Sequence, residues 1–253
     1  MIKPLLKKIL SASGYRLLPE SKIPLGVDPR LDLARVMRHP VRRILDVGGN
    51  AGQTVRKFHE LWPDARIDSF EPTPELFKKL RARCESTPRA TPHNLALGAS
   101  NGTLPFYCYE SGLQNSFVRN PDLPVKEELA IAVQALDHWA AEHRIDSIDL
   151  LKIDVEGAEC EVLAGADALL RNGRIHAILA ECSLYPDDQS HGSFEKIRRQ
   201  LASCGFYFIA FHGQFNRIDN HQFVYADALF VHRDAIRLTG KKAVMPVDHV
   251  GMK

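Results

Sequence analysis

From Arg43 onward, short apolar runs alternate with amphipathic stretches, the pattern of βαβ units wound around a parallel sheet. The apolar runs predict strands over residues 44–47, 66–70, 93–97, 148–153, 177–180, 207–211 and 228–231. Helical periodicity fits residues 54–61, 74–84, 136–143, 160–170 and 193–204. The last two strands lie close together, joined by a segment (212–226) too polar for a crossover helix. That predicts a hairpin, and so an antiparallel strand at the end of an otherwise parallel sheet. Between the third and fourth main strands, residues 102–133 read as an insertion. The β-prone stretch 104–109 and the alternating 130–133 predict an extra hairpin over one face of the sheet. The chain then divides into a helical N-terminal extension (1–40) with joints at Pro19, Pro24 and Pro29, an α/β domain (41–233) and a peripheral C-terminal tail (234–253).

The first ten residues carry an apolar stripe, Ile2, Leu5, Leu6, Ile9 and Leu10, beside Lys3, Lys7 and Lys8. Residues 1–12 would suit peripheral contact with an acidic membrane face, although such a stripe more commonly packs on its own domain. No run of 18 apolar residues occurs and no signal-peptide pattern opens the chain, so a cytoplasmic protein is expected. A formal net charge of +2 over 253 residues gives no electrostatic case for nucleic acid. The five cysteines contain no C-x-x-C pair, which reads as reduced thiols rather than a disulfide framework or zinc site.

Three motifs carry chemistry. The first, Ile44-Leu-Asp-Val-Gly-Gly-Asn-Ala-Gly-Gln-Thr54, ends a buried strand at Asp46, turns tightly through Gly48, Gly49 and Asn50, and opens a helix at about Gly52. Glycines let the backbone approach a ligand, and helix N-terminal amides suit a carboxylate or phosphate. The second, Ser69-Phe-Glu-Pro72, places Glu71, with Pro72 beside it, at the tip of the next strand, where a carboxylate can accept both ribose hydroxyls. This pair indicates a nucleoside-containing cofactor without separating NAD from S-adenosylmethionine. The third, Ile148-Asp-Leu-Leu-Lys-Ile-Asp-Val-Glu-Gly-Ala-Glu159, embeds Lys152 in an apolar strand ahead of Asp154 and Glu156.

With the third motif the chain resembles the FkbM family of methyltransferases. The resemblance runs through Asp46-Val-Gly-Gly-Asn-Ala-Gly-Gln53, Phe70-Glu-Pro72, Asn94-Leu-Ala-Leu-Gly98, Val133-Gln-Ala-Leu-Asp137, Leu151-Lys-Ile-Asp-Val-Glu-Gly-Ala-Glu159 and Val162-Leu-Ala-Gly165. It covers roughly residues 43–232, and only Gly49, where the family more often carries Ala, departs from it. The resemblance implies a class I methyltransferase fold, a Rossmann-like seven-stranded sheet whose last strand is antiparallel. It implies that Asp46, Gly48, Asn50 and Gly52, with Gly49 between them, line the methionine half of S-adenosylmethionine and Glu71 its ribose. Asn94, Ala96 and Leu97 fall on the adenine side. O-methylation of a sugar, glycan or secondary-metabolite hydroxyl is the activity it implies.

Because a hydroxyl has a high pKa, a nearby base helps its methylation. Asp154 and Glu156 are the expected orienting and proton-accepting groups, with the alternative that either holds the cofactor ammonium or caps the next helix. Glu181, at the fifth strand's tip, would bind a sugar hydroxyl or a divalent metal shared with Asp154. No His/Asp/Glu cluster shows ligand spacing, so no metal ligands are assigned. His191 and His212 read as surface histidines. The polar Leu113-Gln-Asn-Ser-Phe117 resembles the stretch the family carries before its hairpin and reads as a lid over the acceptor. Two rivals remain: an NAD(P)-dependent oxidoreductase, although Asn50 stands where the middle glycine of G-x-G-x-x-G belongs, and a non-catalytic cofactor-binding member.

Overall fold

A computed structural model describes residues 10–15, 17–110, 115–120, 122–185, 188 and 190–237. Seven strands form the main sheet in the order β3-β2-β1-β7-β8-β10-β9. They are β1 (Arg43–Val47), β2 (Arg66–Phe70), β3 (Ala90–His93), β7 (Ile148–Ile153), β8 (Ile175–Ser183), β9 (Phe206–Asn216) and β10 (Phe223–His232). The pairs from β3 to β8 are all parallel, and β10 runs antiparallel to both neighbours. The expected hairpin is there, but its second strand slots between β8 and β9 rather than at the sheet edge.

Both faces of the sheet are covered, which explains why the central strands read as continuous apolar runs. Successive residues point to opposite sides: Leu45 and Leu151 join one buried cluster with Trp139 and Phe230, while Ile44 and Leu150 join the other with Phe58 and Leu80. Helices α2 (Gln53–Leu61) and α3 (Pro74–Glu85) contribute Phe58 and Leu80; α4 (Leu136–Glu142) contributes Trp139. The earlier α1 (Pro29–Val36) is N-capped by Asp28, whose Oδ1 accepts from the amides of Arg30 and Leu31, and it buries Leu33 in the second cluster.

Three elements differ from expectation. The stretch 93–97 is split: β3 ends at His93, and β4 (Ala96–Leu97) joins a second sheet with β5 (Gly102–Tyr109) and β6 (Val125–Gln134), ordered β4-β6-β5. That sheet is the insertion's hairpin. Asn94 makes the break, its Nδ2 donating to the carbonyls of Glu71 and Pro72 at 3.0 and 2.9 Å. The helix expected over 160–170 becomes α5 (Glu159–Ala164) and α6 (Asp167–Arg171). Asp137 caps the second piece by accepting from the amides of Ala168 and Leu169, and a Cβ at Gly165 would lie 2.0 Å from the carbonyl oxygen of Gly98. Finally, Ile236 bridges Met37 and the Arg237 amide donates to Val36, so the chain just past Arg233 is docked rather than peripheral. Of the stretch expected at a membrane face, residues 1–9 lie outside the described residues, as do residues 238–253 of the tail. The described cysteines are all free thiols, as expected.

Candidate active site

The carboxyl ends of β1, β2, β7 and β8 converge on one cavity of about 340 Å³. Ligands of open α/β sheets bind at this edge, where the strand order reverses, here between β1 and β7. Gly48, Gly49, Asn50, Glu71, Pro72, Ala96, Leu97, Asp154, Glu156 and Glu181 all line it. Asp46, Gly52 and Asn94 do not.

Gly48 has φ 91°, and a Cβ there would fall 1.8 Å from the carbonyl oxygen of Asp154, so the turn after β1 can close on the turn after β7 only without a side chain. The loop's own amides are committed internally. Those of Gly48 and Gly49 donate to Phe70 O, that of Asn50 to Glu71 Oε2 at 3.0 Å, and those of Ala51 and Gly52 to Asn50 Oδ1 and Gly49 O. The donors left over belong to the start of α2. Among the described residues the amides of Gln53 and Thr54 have no partner, no side chain caps the helix, and both residues line the cavity. The amides that the sequence assigns to an anion, those of the helix opening at about Gly52, are the ones of Gln53 and Thr54.

Glu71 is held by three donors: the Asn50 amide and the Thr73 amide and hydroxyl. Burial nonetheless raises its carboxyl above the usual range. Leu76 from α3, Leu95 and Leu97 from the stretch after β3, and Phe106 and Phe117 from the second sheet and its hairpin loop supply the cavity's apolar lining. Of the polar stretch read as a lid, Leu113 and Gln114 lie outside the described residues. Asn115 and Phe117 line the cavity, while Ser116 Oγ donates to Glu156 O at 2.7 Å.

The remaining wall is acidic. Lys152 is 4% exposed and its ammonium donates to Asp154 Oδ2 at 3.0 Å and Asp227 Oδ1 at 2.9 Å. Burial alone would raise Asp154, but the adjacent ammonium outweighs it and holds the carboxyl below the usual range. Burial and the nearby Asp154 charge push Glu156 up to about 8 and Glu181 up to about 10. Glu156 adopts φ 53°, a left-handed turn conformation that follows directly on Asp154 and Val155. Glu159, quoted in the motif without a role, is fully buried. Its Oε1 accepts from the amides of Val155 and Gly157 and so fixes that turn; burial pushes it up to about 7. Asp46, expected at the cofactor, is fully buried instead, accepts from Ser69 Oγ at 2.7 Å, and is pushed by burial up to about 6.

Neither histidine is a surface residue. His212 is 4% exposed, with Nε2 3.4 Å from Asp32 Oδ2, and does not line the cavity. His191 stacks on the cavity residue Tyr225 at 4.4 Å, and its Nδ1 donates to Asp188 Oδ2 at 2.9 Å. Its ring comes together with Glu156 and Glu181, a cluster invisible to local spacing because the turn after β7, the end of β8 and the loop after β8 supply it separately. Tyr225 is the other cavity residue that sequence reasoning missed.

The chain is similar to known methyltransferases. A 2-O-methyltransferase of Sinorhizobium fredii, NoeI, is 29% identical over 169 residues, covering 60% of this chain and 69% of that protein. A Beauveria bassiana protein named Methyltransferase 1 is 27% identical over 183 residues, covering 64% and 71%. Among solved structures, Synechocystis magnesium protoporphyrin IX methyltransferase with bound S-adenosylmethionine aligns with TM-score 0.45 and 11% identity over 76% of this chain and 71% of that one. Aeropyrum pernix fibrillarin with the same cofactor aligns with TM-score 0.41 and 16% identity over 74% and 66%. The methyltransferase FkbM domain matches residues 46–208, the span that builds the glycine turn, Glu71 and the acidic wall. Most of the chain, including nearly every residue of the cavity, thus falls within that match, and the chain belongs to the FkbM family of methyltransferases.

Proposed function

We propose that the chain transfers the methyl group of S-adenosylmethionine to a hydroxyl of a sugar, glycan or other small hydroxylated molecule. The observation that carries this reading is the charge of the cavity. Four carboxyl groups, Glu71, Asp154, Glu156 and Glu181, line it, and among the described residues no Lys or Arg does; Asp154 is ionised, and the raised carboxyls of Glu156 and Glu181 give up their protons to an incoming cation. A low-dielectric acidic wall favours a ligand bearing sulfonium and ammonium charges and repels the pyrophosphate of a dinucleotide. The same observation disfavours the oxidoreductase reading, which Asn50 in the glycine turn already weakened.

The residues present fit that cofactor. The side-chain-free turn at Gly48 and Gly49 admits it, the Gln53 and Thr54 amides suit its carboxylate, Glu71 suits ribose hydroxyls, and the wall of Leu76, Leu95 and Leu97 suits a flat base. Bound there, the cofactor supplies a methyl group already activated by its positive sulfur. The chain's task is then alignment and proton removal, and alignment alone can account for much of the rate. Asp154, kept ionised by Lys152, accepts the acceptor's proton; Glu156 and Glu181 hold its hydroxyl. A weak base suffices, because an oxygen becomes strongly acidic as it is alkylated.

Support for oxygen as the methylated atom comes from the name of the Sinorhizobium relative and from the acidic wall. The division into an N-terminal extension, catalytic domain and tail remains part of the proposal, as do a non-nucleic-acid acceptor and peripheral membrane contact through residues 1–12. No helix among the described residues is long and apolar enough to cross a membrane. The test is transfer of labelled methyl from S-adenosylmethionine to envelope glycans and to small polyols. Label recovered in an alkali-stable ether is expected; label only on nitrogen or carboxylate would overturn the O-methylation assignment.

A further inference from the structure

The acidic wall contains more carboxyl groups than its own cation can answer. Lys152 divides its ammonium between Asp154 and Asp227, and among the described residues neither Glu156 nor Glu181 has a salt-bridge partner. Glu181 is 9% exposed, lines the cavity, and its Oε2 is buried with no hydrogen-bond partner. A buried unpaired carboxylate oxygen aimed into a cavity is costly unless something binds it.

We propose that Glu156, Glu181 and His191 form a site for one divalent cation of the Mn²⁺ type. One ligand atom from each lies within 4.8 Å of the other two. Ligands opposite each other on such an ion stand roughly 4.2 Å apart, at about 2.1 Å per bond, so closure asks only for small side-chain rotations. His191 has the support a metal-binding imidazole needs. Nδ1–H donates to Asp188, which leaves the lone pair on Nε2, and the ring is fixed by its stack on Tyr225. Asp188 is itself held, accepting from the amides of Ser190 and His191. Glu156 is anchored through its carbonyl, which accepts from Ser116. Two carboxylates and one imidazole suit Mn²⁺ above Mg²⁺, because the nitrogen ligand favours the transition ion.

This inference rests on the methyltransferase reading for its role, though not for its site. The remaining coordination positions would take water and the acceptor hydroxyl, lowering the hydroxyl's pKa. The O–H proton passes to Asp154, the new C–O bond forms, and the C–S bond breaks with its electron pair returning to sulfur.

The test is calorimetric titration of MnCl₂ into chelator-treated full-length protein with neither cofactor nor acceptor present. Saturable binding of one equivalent is expected, weakened at least tenfold in both Glu181→Gln and His191→Ala, each checked for an unchanged circular dichroism spectrum. Absence of saturable binding, or binding unaltered in both variants, overturns the site. A parallel assay of labelled-methyl transfer with and without chelator separates the two readings. Binding with chelator-insensitive transfer retains the site and overturns the hydroxyl-polarising role; binding with no transfer under any condition retains the site and tells against the methyltransferase reading itself.

Discussion

The two ends of the same parallel sheet treat acidic side chains in opposite ways. At the amino end, Asp149 is answered on every side: its Oδ2 accepts from the amides of Arg42 and Arg43, both at 2.8 Å, and Oδ1 pairs with His176 at 3.0 Å. Burial would raise its carboxyl, but these donors outweigh it and hold the group below the usual range. At the carboxyl end, Glu181 and Glu159 each keep a buried oxygen without a partner, and burial pushes both up. One end is built to be stable alone. The other holds charge in reserve for something that is not protein, and unsatisfied groups of this kind mark functional sites.

Substitutions sharpen that contrast. Asp154→Asn should lower the methyl-transfer rate by about 10²–10⁴-fold, since a positioned proton acceptor contributes on that scale, and cost less stability than loss of Lys152, because Asp227 still answers the ammonium. A rate within a few-fold of wild type would favour the non-catalytic reading. Lys152→Met should do the reverse in emphasis and cost about 3–5 kcal/mol in urea unfolding, because it strands Asp154 and Asp227 beside each other.

Asp46 offers a pH signature. Its folded-state carboxyl is raised from 3.8 to about 6 by burial, so the folded protein binds the proton more tightly than the unfolded chain does. Stability is therefore lost as pH rises through the window from 3.8 to about 6. Asp46→Asn should remove that loss, gaining on the order of 3 kcal/mol over wild type above the window and little below it, as read from urea unfolding across pH. Asp149 carries the opposite sign, because its stabilisation is present above the ordinary carboxylate range and fades as pH falls. The smallest effect follows: Asp149→Ala should cost about 1–3 kcal/mol near neutral pH with catalysis unchanged.

The sequence showed the carboxyl-end site in outline because its parts are local. The turn after β1 needs glycine at 48, where a side chain would strike Asp154's carbonyl, and the Glu71 and Asp154–Glu156 positions each follow directly on an apolar run. The parallel sheet was legible for the same reason. What stayed hidden was set by distant partners. His191 enters the site from the loop before α7 (Phe194–Ser203), and Tyr225 from β10, inserted beside β8 where hairpin logic alone put it at the edge. Asp46 looked like a cofactor ligand because it ends a strand, yet it is fully buried, accepts from Ser69 and does not line the cavity. The helix break at Gly165 depended on Gly98, nearly seventy residues earlier.

The central claim is that the acidic carboxyl end of the sheet holds a positively charged methyl donor. The direct measurement is the melting temperature with S-adenosylmethionine, NAD⁺ or NADP⁺ added in turn. A ligand that binds only the folded state at 100 times its dissociation constant adds about 2.7 kcal/mol. The account predicts a rise with S-adenosylmethionine that is lost in Glu71→Ala and kept in Asp149→Ala. A rise with a dinucleotide and none with S-adenosylmethionine would contradict it.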